Sequence, residues 1–230
     1  ISFTVPRGEV VALIGGTGSG KSTLVKLLLD FYTPEAGSIS FGGTDYTALP
    51  RAAVRDNFSV ALQKSMIFEG SVRDNVRMGN GKADDEEILR ALDIAEMSPF
   101  LAQHEEGLDY RLAGAGANIS GGQKQRINIA RALIRPAEVY IFDDSFSALD
   151  YLTESRLRKK LNRALAGKTQ IVVTQRAATA MRCDRIFVLD GGRLVGAGRH
   201  EELLDSCPVY REIYDSQLGA KDATRGGDAE

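Results

Sequence analysis

Apolar residues recur along this chain with two periods, and the switches between them mark out its elements. Val10 to Ile14 is a continuous apolar run of strand length, followed by glycines and then by Leu24, Leu27, Leu28 and Phe31 at helical spacing. The pattern predicts a strand, a loop and a helix from Lys21 to Tyr32, stopped by Pro34 and Gly37. Ser38 to Phe41 with Gly42-Gly43 reads as a strand and tight turn, and Asn57 to Leu62 as another strand that stops at Gln63. Ile1 to Val5 alternates like a half-buried strand, so the chain reads as a fragment that begins in mid-strand.

From Lys64 to Arg135 helical patterns take over. Asp84 to Glu87 has the form of a capping box ahead of Ile88, Leu89, Leu92 and Ala95, which share one helix face, so the acids are helix-start chemistry and not metal ligands. Arg111 to Asn118, rich in Gly and Ala, is expected to be a loop. Ser120 and Gln123 repeat the capping-box spacing and open a helix ended by Pro136, with Gly121 and Gly122 in its first turn. Glycine in a helix costs about 1 kcal/mol against Ala, and its usual return is close backbone approach to a ligand. Val139 to Phe142 reads as a buried parallel strand, followed by Asp143 and Asp144. Carboxylates beyond the end of such a strand point at a site. A helix from Tyr151 to about Leu165 should turn Leu157, Leu161 and Ala164 inward, with Asp150 placed to cap it and Gly167 closing it. Lys168 to Thr174 is a further strand, ending at Gln175, and Arg185 to Ala197 folds as a hairpin about Asp190-Gly191-Gly192. Helices around Glu201 and Tyr210 complete the fold, and 219–230 has the composition of a disordered tail. The expected organisation is α/β, with a core of 1–63 and 136–218 interrupted by a helical subdomain at 64–135.

The first loop carries chemistry. Gly15, Gly20, Lys21 and Ser22 fit the G-x-x-x-x-G-K-[ST] spacing, with a strand before and a helix after. Through Gly15, Gly16, Thr17, Gly18, Ser19 and Gly20 the backbone N–H groups can turn around phosphate oxygens, and the helix start at Lys21, Ser22 and Thr23 adds its positive dipole end. Lys21 would reach the β- and γ-phosphates, and the Ser22 hydroxyl would ligate Mg²⁺.

The remaining composition narrows the classes. With 230 residues, 43% of them hydrophobic, the chain is long enough to bury a core, and a net charge of −2 gives no footprint for nucleic acid. Cys183 and Cys207 stand in no metal spacing, which fits a reducing compartment. No apolar run approaches the roughly 20 residues needed to span a bilayer.

The phosphate loop, Gln63, Ser120-Gly121-Gly122-Gln123, a strand ending in Asp143, and Ser147-Ala148-Leu149-Asp150 occur together in one order. The chain from Ile1 to about Leu218 resembles the nucleotide-binding domain of an ATP-binding-cassette (ABC) transporter, and Met66 to Asn75 is similar to the exporter branch. The resemblance implies a RecA-like P-loop NTPase core with a small antiparallel β part and an inserted helical subdomain carrying the signature. It implies ATP and Mg²⁺ as ligands, transmembrane domains and a second ABC cassette as partners, and a place on the cytoplasmic face of a membrane. Gln63 then corresponds to the residue that senses Mg²⁺ and the γ-phosphate, Asp143 to the acid holding Mg²⁺, Asp150 to the D-loop, and Ser120 to Gln123 to the segment that contacts the partner's nucleotide. Two positions depart from the pattern. Asp144 stands where the family has the Glu that polarises the attacking water, and Gln175 replaces the switch histidine. Leu112 to Gly116 lacks the Glu-Arg pair usual in exporters, and the aromatic residue that stacks on adenine is expected upstream of Ile1. The double change resembles the degenerate-site subunit of a heterodimeric exporter. The competing readings are a symmetric homodimeric exporter cassette, a purely ATP-binding structural partner, and a soluble ABC ATPase of translation or DNA repair. That last class carries two cassettes or a coiled-coil insertion, and neither is visible here.

Overall fold

The computed structural model describes residues 1–219, which pack as two compact units, one of 1–56 with the segment from 169 onward and one of 57–168. The first unit begins with β1 (Val10–Ile14), α1 (Lys21–Leu28), β2 (Ser40–Phe41), β3 (Thr44–Asp45) and α2 (Arg51–Asp56). The second follows with β4 (Phe58–Ala61), β5 (Gly70–Ser71), α3 (Val72–Arg77), α4 (Asp85–Ile94), α5 (Ser98–Ala102), β6 (Arg111–Leu112), α6 (Gly121–Leu133), β7 (Val139–Asp143) and α7 (Tyr151–Ala164). The chain then returns to the first unit with β8 (Thr169–Thr174), α8 (Ala177–Ala180), β9 (Arg185–Asp190), β10 (Arg193–Gly198), α9 (His200–Ser206) and α10 (Pro208–Tyr214). The expectation of disorder for 219–230 lies, beyond Gly219, outside the described residues.

In the first unit β1 runs parallel to both β8 and β9, with Val10 opposite Gln170 and Val11 opposite Arg185. The β9–β10 hairpin adds an antiparallel edge, closed by Gly191 and Gly192 with φ of 50° and 76°, as a two-residue type I′ turn requires. Val11 to Ile14 are all apolar and fully buried, as in a central parallel strand whose two faces are both covered. Beside β1 and β9 a core forms from Ala12, Ile14, Ile186, Val188, Leu203 and Tyr210. Burial stabilises by about 1.5–3 kcal/mol for each large apolar side chain of this kind. Tyr210 also gives its hydroxyl a partner, the His200 imidazole at 2.8 Å, so His200 does more than begin its helix. In the second unit β4 and β7 pair in parallel, and Ile88, Leu92, Ile127, Ile129, Ile141, Phe142 and Leu157 are buried around them.

Several expectations needed correction. Helix α1 ends at Leu28, short of Tyr32, because Asp30 turns left-handed at φ 52°. The Asp30 N–H donates to the Leu27 carbonyl at 3.0 Å and the Phe31 N–H to the Lys26 carbonyl at 2.9 Å, a Schellman stop normally signalled by glycine. Phe31, expected inward, is therefore exposed. Leu89 and Ala164 also face solvent, and Leu165 takes the buried position at the end of α7. Ile1 to Val5 forms no strand among the described residues, and Phe3 instead lays its ring against Phe187 at 4.6 Å. Residues 111–118 are not all loop, since Arg111 pairs with Ser71 and Leu112 with Gly70. The His104 ring lies against Tyr110 at 4.0 Å and Phe100 at 4.6 Å between ring centres.

The end of α3 meets α6 at backbone distance. A Cβ on Gly79 would lie 2.0 Å from the Arg131 carbonyl oxygen, whereas one on Gly81 would meet nothing within 4 Å. Overpacking of this kind costs about 1–3 kcal/mol. Gly79→Ala is therefore expected to lower the thermal midpoint by several degrees in circular dichroism while Gly81→Ala leaves it nearly unchanged; equal midpoints for the two variants would contradict the close approach.

Candidate functional site

In the first unit β1 delivers the chain into the glycine loop. Gly18 and Gly20 lie at φ of 79° and 99°, a region closed to most side chains, and a Cβ on Gly15 would lie 2.2 Å from the Leu189 carbonyl oxygen. Helix α1 starts without a side-chain cap and without an acid in its first turn. Its first backbone bond runs from the Leu24 N–H to the Gly20 carbonyl at 2.9 Å, so the N–H groups of Lys21, Ser22 and Thr23 precede the helical ladder. The buried Lys21 ammonium donates to the Gly15 and Gly16 carbonyls, each at 2.7 Å, and to the Ser19 hydroxyl at 3.1 Å. A cation inside a ring of small residues, at the positive end of a helix, fits an anion with several oxygens. Gln175, just past β8, belongs to the same place: its Oε1 accepts from the Thr17 hydroxyl at 3.4 Å. Gln217, unnoticed in the sequence, brackets this segment by donating to the Gln175 carbonyl at 2.8 Å and accepting from the Ala177 N–H at 2.9 Å.

The second unit holds the other residues expected to act. Asp143 is the last residue of β7 and is 8% exposed, and Asp144 follows in a left-handed conformation at φ 46°. Asp and Asn are among the few non-glycine residues that enter this region readily. The buried Ser145 hydroxyl donates to the Ala61 carbonyl at 2.8 Å, tying together the ends of β7 and β4. Gln63 lies two residues beyond β4, exposed in a bend. At the start of α6 the capping box forms as the spacing implied, with the Gln123 N–H on the Ser120 hydroxyl oxygen at 3.2 Å and the Ser120 N–H on Gln123 Oε1 at 2.7 Å. Ser120 and Gly121 are exposed, and the Ser120 hydroxyl, used here as an acceptor, keeps a proton to donate. Asp150 caps α7 through the Thr153 N–H at 2.9 Å, which holds its carboxyl below the usual carboxylate range.

The signature glycines serve their own chain as well as any ligand. A Cβ on Gly122 would lie 3.1 Å from the Ala148 carbonyl oxygen, so part of their small size answers to the 144–150 turn packed against α6. Two buried side chains of α6 that the sequence did not single out support these segments, Gln125 at the 144–150 turn and Asn128 at the Leu62 carbonyl beside Gln63. Their signal was a pair of polar side chains three apart on an otherwise apolar face.

These features decide the relationship. The family model for ABC transporters matches residues 1–147. The chain belongs to the ABC transporter family. It is similar to the uncharacterized ABC transporter ATP-binding protein YfiC of Bacillus subtilis, 38% identical over 95% of this chain and 36% of that protein. It is also similar to ATP-binding cassette sub-family B member 6 of Xenopus tropicalis, 35% identical over 100% of this chain and 27% of that one. Among solved structures it superposes on a bacterial Atm1-family ABC exporter with ATP bound, with a TM-score of 0.90 and 33% identity, over 100% of this chain and 39% of that one. The chain thus spans less than two fifths of the length of each of these relatives. The fold is that of an ABC ATP-binding domain, with parallel strands, small antiparallel sheets and helices.

Removing the ammonium from this ABC cassette tests the loop directly. Hydrogen bonds to charged groups are worth about 1.5–3 kcal/mol, so Lys21→Ala is expected to weaken MgATP binding roughly 10- to 100-fold in calorimetry. Unchanged affinity would remove the loop from the site.

Proposed function

We propose that this chain is the ATP-binding and ATP-hydrolysing cassette of an exporter, acting at the cytoplasmic face of a membrane with transmembrane domains and a second cassette. The observation that carries the reading is the Lys21 ammonium set inside a glycine loop at the uncapped start of α1. The likeness to a solved exporter with ATP bound supports it. On this reading Gly15 to Thr23 would take the phosphates, and Ser22, Gln63 and Asp143 are the residues that would hold Mg²⁺. When bound, Mg²⁺ neutralises charge on the β- and γ-phosphates. No described helix is long and apolar enough to cross a membrane, so on this reading the membrane path lies in other segments.

The hydrolytic positions are unequal. Asp144 keeps a charge but lacks one methylene, roughly 1.5 Å of reach, and misplacement by about 1 Å can cost on the order of 10²-fold in rate. Gln175 donates a hydrogen bond to the γ-phosphate but carries neither a proton nor a positive charge. The Ser120 to Gln123 segment, by contrast, is intact and capped. In a head-to-tail pair the phosphate loop, Asp144 and Gln175 serve one nucleotide, while Ser120 to Gln123 and Asp150 face the other. This chain is then the degenerate-site subunit of a heterodimer, and its signature completes the partner's active site.

Single-turnover hydrolysis in the assembled transporter separates the readings. Ser120→Ala is expected to reduce turnover at least ten-fold, and Asp144→Ala to change it little. If Asp144→Ala abolishes turnover and Ser120→Ala leaves it intact, the cassette is an active member of a symmetric pair.

A further inference from the structure

Helix α6 carries two buried polar side chains that neither the signature motif nor the binding of phosphate uses. Gln125 and Asn128 are 8% and 6% exposed and sit three residues apart, on the face otherwise made by Ile129, Ala132 and their neighbours. A buried amide left without partners costs roughly 1–3 kcal/mol, so two of them on a packing face need an account. Each amide is spent on a segment remote in sequence. Gln125 Nε2 donates to the Ser147 hydroxyl at 3.0 Å and to the Asp144 carbonyl at 3.4 Å, while its Oε1 accepts from the Ala148 N–H at 3.0 Å. One side chain thus spans the turn that begins at Asp144. Asn128 donates to the Leu62 carbonyl at 2.9 Å, the residue immediately before Gln63.

The turn at Asp144 has reason to need such a clamp. Its left-handed backbone is an uncommon state, held by the Asp144 carbonyl accepting from the Ser147 N–H at 3.3 Å and the Ser147 hydroxyl at 2.9 Å, besides Gln125. The bend at Gln63 is exposed and carries no strand hydrogen bonds of its own. The helix that begins with Ser120 to Gln123 therefore fixes, from one buried stripe, the backbone on which both Gln63 and Asp144 stand.

The geometry points to Gln125 and Asn128 as positioning residues that lock the Asp144 turn and the Gln63 bend to the signature helix. On the function proposed above, on which this rests, Gln63 and Asp144 address the chain's own nucleotide while Ser120 to Gln123 address the partner's. A shift of α6 when the signature engages one nucleotide is then transmitted to the residues around the other, through two side-chain amides. The link has two identified contact points, Gln125 at the Asp144 turn and Asn128 at the Leu62 carbonyl.

The test is amide hydrogen exchange on the whole chain with and without MgATP, alongside turnover in the assembled transporter. Gln125→Leu, close in volume but without the amide, is expected to speed exchange at 147–150 at least ten-fold while β7 and the body of α6 keep their protection. Asn128→Leu should speed exchange at 63–65 and leave 147–150 alone. Gln125→Glu, which keeps an acceptor for the Ala148 N–H, should restore protection at Ala148. In turnover, both Leu variants are expected to lower kcat at the partner's nucleotide at least ten-fold with KM for ATP unchanged, a loss that Asp144→Ala does not share, because they break the link to the signature helix and not the acid alone. Unchanged exchange in both segments would overturn the assignment, as would equal loosening across β7 and α6, which marks general destabilisation. Selective loosening with kcat unchanged would overturn it too, since the segments would be held without being used. If the ABC-cassette reading itself fails, MgATP does not bind the unaltered chain, a result independent of either variant.

Discussion

A Cβ on residue 15 would lie 2.2 Å from the Leu189 carbonyl oxygen and 2.6 Å from the Ser19 hydroxyl oxygen, so the exit from β1 rests on an approach that only glycine permits. The same hairpin touches the loop again, with the Gly192 N–H donating to the Ser19 carbonyl at 3.2 Å and Gly192 packed beneath Gly20. β9 and β10 thus form more than an edge of the sheet, because their turn props the loop from below while the Lys21 ammonium closes it from within. The register of β1 against β9 sets where Leu189 lies, and the position of Leu189 sets the curve of the loop. Strand pairing and phosphate chemistry are in this way one constraint. On the proposed reading a hairpin substitution far from any phosphate contact would act on nucleotide affinity through the Ser19 carbonyl.

The parts of this architecture that were legible in the sequence are those enforced locally. Capping boxes at Asp84 and Ser120 involve four consecutive residues, and the buried runs Val10 to Ile14 and Val139 to Phe142 are apolar because each side is covered. What the sequence hid was decided by residues distant in the chain or by side chains used against type. The stop of α1 falls to an Asp in a glycine's role, and the Arg51 guanidinium 3.4 Å from its carboxylate helps hold it there. Helical spacing alone placed Leu89 and Ala164 inside, since periodicity gives a face but not the width that a neighbour covers. Gly15, Gly20, Lys21 and Ser22 could be named because phosphate binding asks for a fixed spacing, whereas Gln63, Asp143, Asp144 and Gln175 were candidates only through the family resemblance. Their supports were not legible, because Gln125, Asn128 and Gln217 reach segments 23, 66 and 42 residues away.

The two altered positions differ in kind. At Asp144 the backbone and the side chain make opposite demands. The left-handed conformation at φ 46° suits Asp, which can hydrogen-bond locally, better than the longer Glu, while reach toward a water favours Glu. The turn that imposes this backbone is held by Ser147 and Gln125 through main-chain atoms, so it persists whichever acid is present. On the proposed reading the shorter acid therefore eases the fold and weakens hydrolysis in a single substitution. At Gln175 no such trade exists. Its Oε1 accepts from the Thr17 hydroxyl in the phosphate loop, and its amide NH₂ is a neutral donor; on the proposed reading, binding a phosphate oxygen asks no more than that of it. On the proposed reading one change bears on the attacking water and the other on the charge beside the γ-phosphate, so both would lower the hydrolytic rate of this site while leaving its grip on nucleotide, set by Lys21 and the N–H groups of α1, in place.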